Sequence, residues 1–173
     1  NLTGASPLMT NVALIGNTCD EDGGGMRLND SYPVLENVIL SGNSAVNDGG
    51  GMYLVYSAPV LTQASITGNS AGDYGGGIHN SGTSTVTNAT ITENRAHDYG
   101  GGIFNFGTLT VASATIAGNS SNRGGGIYSR DSSTLTVTSA TITENTARNN
   151  GGGIDSSGQL TVTNSTLTGN AAN

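Results

Sequence analysis

GGGIHNSGTSTVTNATITENRAHDY, residues 75–99, is one full period of a pattern that fills the chain. It opens on Gly75-Gly76-Gly77 and Ile78, alternates through Thr85-Val86-Thr87 and Thr90-Ile91-Thr92, and reaches Asn94 before the next triplet at Gly100. Further triplets begin at Gly23, Gly49, Gly124 and Gly151, and Met or Ile follows every one: Met26, Met52, Ile78, Ile103, Ile127, Ile154. Successive triplets stand 24 to 27 residues apart. A second marker keeps step with them: Asn17, Asn43, Asn69, Asn94, Asn119, Asn145 and Asn170. Self-similarity at such a period is the signature of a solenoid, whose repeats bury their apolar sides only against each other.

Each period holds three short extended segments, and side chains of a strand alternate between its faces. Leu14, Leu40, Ile66, Ile91, Ile116, Ile142 and Leu167 share one position of the third segment; Met9, Leu35, Leu61, Val86, Val111, Val137 and Val162 share one in the second. With the Met or Ile after each triplet, three aliphatic rows point inward. The expected fold is all-β: a right-handed parallel β-helix of about seven coils, three strands per coil, residues 1–173 forming one domain. The corner between the second and third segments has fixed length, marked by Asn11, Asn37, Gln63, Asn88, Ser113, Ser139 and Asn164 six residues before each marker asparagine. The marker asparagines are expected to turn a tight corner in the left-handed region and to bond to each other along the axis. The glycines are expected to allow sharp turns and close backbone approach. Asn1 begins inside a repeat and another triplet is due after Asn173, so an excerpt of a longer repeat protein is expected.

Composition narrows the function. The 28 glycines argue against helices. The net charge is -7, with five arginines and no lysine, which excludes a phosphate-backbone partner such as nucleic acid. No apolar run approaches the roughly 18 residues of a membrane span, so no membrane insertion by this segment is expected. The single cysteine, Cys19, reads as a half-buried small residue. No cofactor is expected: no helix follows a triplet, and no Lys-Ser/Thr pair accompanies one, as a phosphate-binding loop would need.

The pairing of Gly-Gly-Gly-Ile with Ile66-Thr67-Gly68-Asn69 resembles the GGAI and FxxN repeats of bacterial polymorphic outer membrane proteins, with Ile or Leu in place of Phe. The resemblance covers the whole chain and implies a secreted or cell-surface passenger, adhesive or architectural in role. An extracellular or cell-surface location is the expectation that follows.

Outward positions are where the coils differ. The row after Met/Ile reads Arg27, Tyr53, His79, Phe104, Tyr128, Asp155, with Phe106 and Arg130 two residues beyond Phe104 and Tyr128. Tyr53, His79, Phe104, Phe106, Tyr128 and Arg130 make either a platform for sugar rings or a partner, or a ladder of rings that stack on each other. Asp22, Asp48, Asp73 and Asp98 precede triplets and are weak calcium candidates, with solvated turn residues the alternative. Thr-x-Thr pairs recur on the second and third segments and resemble the surfaces of β-helical ice-binding proteins. Leu8, Val34 and Val60, with Ile15 and Ile39, form an apolar stripe on the first coils, expected to dock a protein partner or another copy. Paired carboxylates are wanting among the regular outward positions, so a non-catalytic role is expected, with a polysaccharide-cleaving β-helix as the alternative.

Overall fold

A computed structural model describes residues 1–173. The chain forms 28 short strands and no helix, so none is long and apolar enough to cross a membrane. The strands make four seven-stranded parallel sheets, each with one strand per coil. The first sheet runs from Leu2–Thr3 to Ile154–Ser156, the second from Leu8–Thr10 to Gln159–Thr163 and the third from Ala13–Ile15 to Thr166–Thr168. A fourth runs from Thr18–Cys19 to Ala171–Ala172.

Seven coils agree with the period, but each has four strands, not three. The fourth follows the marker asparagine and is two residues long in coils one to four, as in Ser44–Ala45 and Ser70–Ala71. Two residues are too few to display an alternation. Its inward side is the column Cys19, Ala45, Ala71 and Ala96, which places Cys19 half-buried among alanines.

The aliphatic rows face the core as their spacing requires. Leu40, Ile66, Ile91, Ile116 and Ile142 are fully buried, as are Leu35, Val86, Val111 and Val137. Strand pairing joins like to like, Ile66 beside Ile91 and Val86 beside Val111, so each column is continuous along the axis. A second inward column of the first sheet changes character on the way: Leu28, Leu54, Asn80, Asn105, Ser129. Its polar members are buried and bonded. Asn80 donates to Asn105 Oδ1 at 2.8 Å, and Asn105 donates to Ser129 Oγ at 3.0 Å.

Three left-handed positions recur along the coils and make the corners, and Gly4, Asp30, Tyr56 and Ser132 add a further one after the first sheet in four coils. Between the second and third sheets they are Asn11, Asn37, Gln63, Asn88, Ser113, Ser139 and Asn164, with φ of 50–59°. The first glycine of each triplet is another, with φ of 60–76°. The third is not the marker asparagine but the residue before it, Gly in five coils and Glu93 or Glu144 in two. The marker side chain turns inward instead. Its Oδ1 takes the backbone N–H and the amide of the asparagine one coil earlier, each at 2.9–3.0 Å. From Asn43 onward its Nδ2 also donates to a carbonyl one coil back, such as Ile66 O from Asn94 at 2.9 Å. The ladder runs unbroken from Asn17 to Asn170. Triplet glycines lie against it: a Cβ on Gly77 would stand 3.2 Å from the Asn94 amide and 2.6 Å from Gly102 O. No side chain fits there.

Candidate functional site

The outer side of the first sheet carries two rows instead of one. Arg27, Tyr53, His79, Phe104, Tyr128 and Asp155 pair in register, one per coil. Beside them stand the residues just before the first five triplets: Asp22, Asp48, Tyr74, Tyr99 and Arg123. From coil three onward the rows meet with an offset of one coil. Asp48 faces His79, with Oδ2 3.5 Å from Nε2. Tyr74 stacks on Phe104 at 4.9 Å and Tyr99 on Tyr128 at 4.7 Å between ring centroids. Arg123 Nε donates to Asp155 Oδ2 at 2.8 Å. Within the rows the stacking continues, His79 on Phe104 at 4.9 Å and Tyr74 on Tyr99 at 5.3 Å.

For His79, Phe104 and Tyr128 this arrangement is the ladder of stacked rings. His79, Phe104 and Tyr128 are 7%, 5% and 8% exposed: Tyr74 covers Phe104, Tyr99 covers Tyr128, and His79 is packed between Tyr53 and Phe104 with Asp48 beside it. These three rings form a self-stacked ladder and offer no open platform, while Tyr53 at its end stays half-exposed. Each ring pair contributes about 0.5–1.5 kcal/mol beyond its buried area. Cations close the ladder at both ends. Arg27 lies 5.2 Å from the Tyr53 ring, and Arg123 lies 5.4 Å from Tyr128 and 5.9 Å from Tyr99. Phe106 and Arg130 sit apart from it, both exposed, with the guanidinium 4.8 Å over the ring.

Within this ladder Asp48 and His79 are both perturbed. Burial, chiefly, pushes the Asp48 carboxyl up to about 6, helped by Asp22 and Asp73 and opposed by a hydrogen bond from the Tyr74 backbone. Burial also holds His79 down to about 4, so its ring is neutral at pH 7. His79 Nδ1 is buried without a partner.

The four aspartates do not share one row. Asp22 and Asp48 occupy the position before the triplet, whereas Tyr74 and Tyr99 take it in the next coils and displace Asp73 and Asp98 one residue outward. Arg27 pairs with Asp22 at 3.2 Å and His97 with Asp98 at 2.8 Å. No three of His, Cys, Asp or Glu gather as metal ligands would.

The second and third sheets carry the remaining candidates. Leu8, Val34 and Val60 form one outward column, and Ile15 and Ile39 lie on the neighbouring sheet in different columns. All five are exposed, between 41% and 70%. In coils four to seven the same faces become hydroxylated. Thr85, Thr110, Thr136 and Thr161 align on the second sheet, and Thr90, Thr115, Thr141 and Thr166 on the third. Flanking columns add Thr87, Thr138 and Thr163, and Thr92, Thr143 and Thr168, interrupted by Ala112 and Ala117.

A scan against protein-family models matches the right-handed beta helix region over residues 72–173. The chain belongs to this family. The match settles the winding as right-handed, and this β-helix fold serves both structural proteins and polysaccharide-active enzymes. Neither a search of curated proteins nor one of solved structures returned a match.

Sequence reading missed the row before the triplets. Its members Asp48, Tyr74, Tyr99 and Arg123 are matched one coil later by His79, Phe104, Tyr128 and Asp155: acid with imidazole, ring with ring, cation with acid. That complementarity was available once the two rows were aligned with the offset.

Proposed function

We propose that this β-helix is a non-catalytic rod of the cell exterior that adheres through the threonine columns of its second and third sheets. The observation that carries this reading is the register of those columns. Across coils four to seven they present hydroxyls about 4.8 Å apart along the axis and about 6.7 Å apart along each strand, with no charged side chain on the aligned strands. A flat hydroxyl array binds extended neutral polymers over many weak contacts, where a cleft would hold one sugar. The narrower resemblance to bacterial surface passengers supports the same role and location. The aromatic row contributes stiffness to the rod, and the apolar stripe on coils one to three docks a protein partner or a second copy.

Retention on insoluble neutral polysaccharides tests the reading. Thr110→Glu with Thr136→Glu should lose retention while the fold survives, because each places a charge in the array without touching the core. Unchanged retention would refute it. Release of reducing ends or unsaturated products by the intact chain would establish the polysaccharide-cleaving alternative instead. The same columns favour a second reading, ice binding, in which faceted ice crystals form with the native chain and vanish in Thr141→Tyr. For the stripe, a monodisperse monomer at high concentration that binds no partner is the contrary result.

A further inference from the structure

Five arginines face twelve carboxylates in this chain, yet three of the five have no carboxylate partner, and two of those three, Arg95 and Arg148, stand over no aromatic ring either. Arg27 is held by Asp22, Arg123 by Asp155, and Arg130 lies over Phe106. Arg95 and Arg148 take part in none of the ion pairs. Both line one open groove of about 130 Å³ on the fourth sheet, with Ala96, Ser120, Ser121 and Thr146.

The groove has a structural origin. Six residues separate the marker asparagine from the next triplet in every coil but the fifth, where Asn119 and Gly124 are five apart. The register between the fifth and sixth coils accordingly shifts between Ser121 and Arg123. Arg95, Ser120 and Thr146 align across coils four, five and six. Coil five therefore supplies a floor of short side chains, and an arginine rises on either side. Arg148 stands two residues past Thr146, on the same outward side of the strand Thr146–Asn150. The Ser121 hydroxyl is engaged with Arg123 O at 2.7 Å, which leaves Ser120 and Thr146 as the neutral donors. The nearest acidic residues in the chain, Glu93, Asp98 and Glu144, form no ion pair with either arginine; Asp98 is bonded to His97.

We propose that this groove is an oxyanion site that takes a sulfate or carboxylate group. Guanidinium forks bind such groups through paired, charge-assisted hydrogen bonds and give orientation as well as attraction. Two of them across a hydroxyl-lined floor bind one group from both sides. The site lies on a different sheet from the threonine columns, and neither depends on the other.

The test uses the native chain, R95Q, R148Q and, as a control, R130Q, an exposed arginine outside the groove. Retention on dextran sulfate, with neutral dextran as blank, reports polymer-borne sulfate; titration with inorganic sulfate, followed through the arginine side-chain NMR signals, reports the free anion. R95Q and R148Q should each weaken dextran sulfate binding at least tenfold and flatten its salt dependence, with R130Q unchanged. All three side chains are exposed, so thermal unfolding should stay as in the native chain. Displacement of the polymer by inorganic sulfate at equal charge would assign the groove to free anions, and resistance to it would assign the groove to polymer-borne groups; both outcomes support the site. Native binding by R95Q and R148Q, or an equal loss in R130Q, overturns it.

Discussion

Asn94→Ala and Asn17→Ala delete the same amide from the same column, yet their costs should differ several-fold. Asn94 is buried in the middle of the ladder. Its Nδ2 donates to Asn119 Oδ1 and Ile66 O, and its Oδ1 accepts the backbone N–H and the amide of Asn69. Alanine removes all four bonds. Asn69 keeps its bond to Leu40 O but loses partners for its backbone N–H and for one amide proton. Each donor stranded in a buried site costs about 1–3 kcal/mol, and the lost volume beneath Gly77 adds to that. The sum is about 3–6 kcal/mol.

At Asn17 only Nδ2 to Asn43 Oδ1 is lost, from an exposed side chain, and the Asn17 backbone N–H still reaches Asn43 Oδ1. That change should cost about 0.5–1 kcal/mol. Urea unfolding followed by tyrosine fluorescence measures both, with the slope watched for loss of cooperativity, as expected of stacked repeats. Equal destabilisation by the two variants, or a cost below about 1 kcal/mol at Asn94, would refute the ladder as a source of stability.

Three further substitutions probe the coil. Ile91→Asp puts a carboxylate among fully buried aliphatic columns and should unfold the chain, whereas Thr92→Asp, one residue on and outward, should cost under about 1 kcal/mol by the same urea assay. Gly76→Ala drives a Cβ into the carbonyl oxygens of Arg95 and Gly101 and should abolish soluble expression; Gly68→Ala, with nothing within 4 Å of its Cβ and only φ of +65° to strain it, should fold at a cost of about 1 kcal/mol. Asp48→Asn tests the perturbed pair by urea unfolding across pH 4–7. The folded pKa of Asp48 is raised from 3.8 to about 6, so its contribution is present below pH 3.8 and lost as pH rises through 6; that of His79, lowered from 6.5 to about 4, is present above pH 6.5 and lost as pH falls through 4. The native chain should be nearly flat between pH 4 and 6. The variant should gain on the order of 1–3 kcal/mol at pH 7 and lose stability steadily on acidification.

The parts of the fold legible in the sequence were those enforced in every coil. Ile or Leu in the third sheet, Val or Leu in the second and the triplet glycines recur because one wrong side chain would break a column shared with two neighbours. The fourth strand escaped because two residues such as Ser44 and Ala45 carry no periodicity, and alanine does not announce burial. The inward amides of Asn80 and Asn105 were hidden for a related reason: the column begins as Leu28 and Leu54, and its change to asparagine is tolerated only because each amide bonds to the next. The aromatic row was visible as composition, but its burial was not. Covering it takes Tyr74 and Tyr99, which lie five residues before His79 and Phe104 in the chain and one coil away from the rings they cover.

The one-coil offset also bears on how the rod divides its labour. Inward columns, the asparagine ladder and the two aromatic rows are committed to holding coils together, and a change in any of them is felt by both neighbours. What remains free to vary is the outer side of the second, third and fourth sheets. Along the second and third sheets that freedom is used in two ways: apolar side chains at Leu8, Val34 and Val60, then threonine from Thr85 to Thr161. One column, apolar through three coils and threonine through the next four, with Thr10, Glu36 and Thr62 flanking its apolar part, places two chemistries on one continuous surface, with at most about 29 Å between their ends at the spacing of parallel strands. A partner docked on the first three coils would leave the threonine columns open. On the proposed function, the rod would then be anchored and adhesive at once, without any part of it having to move.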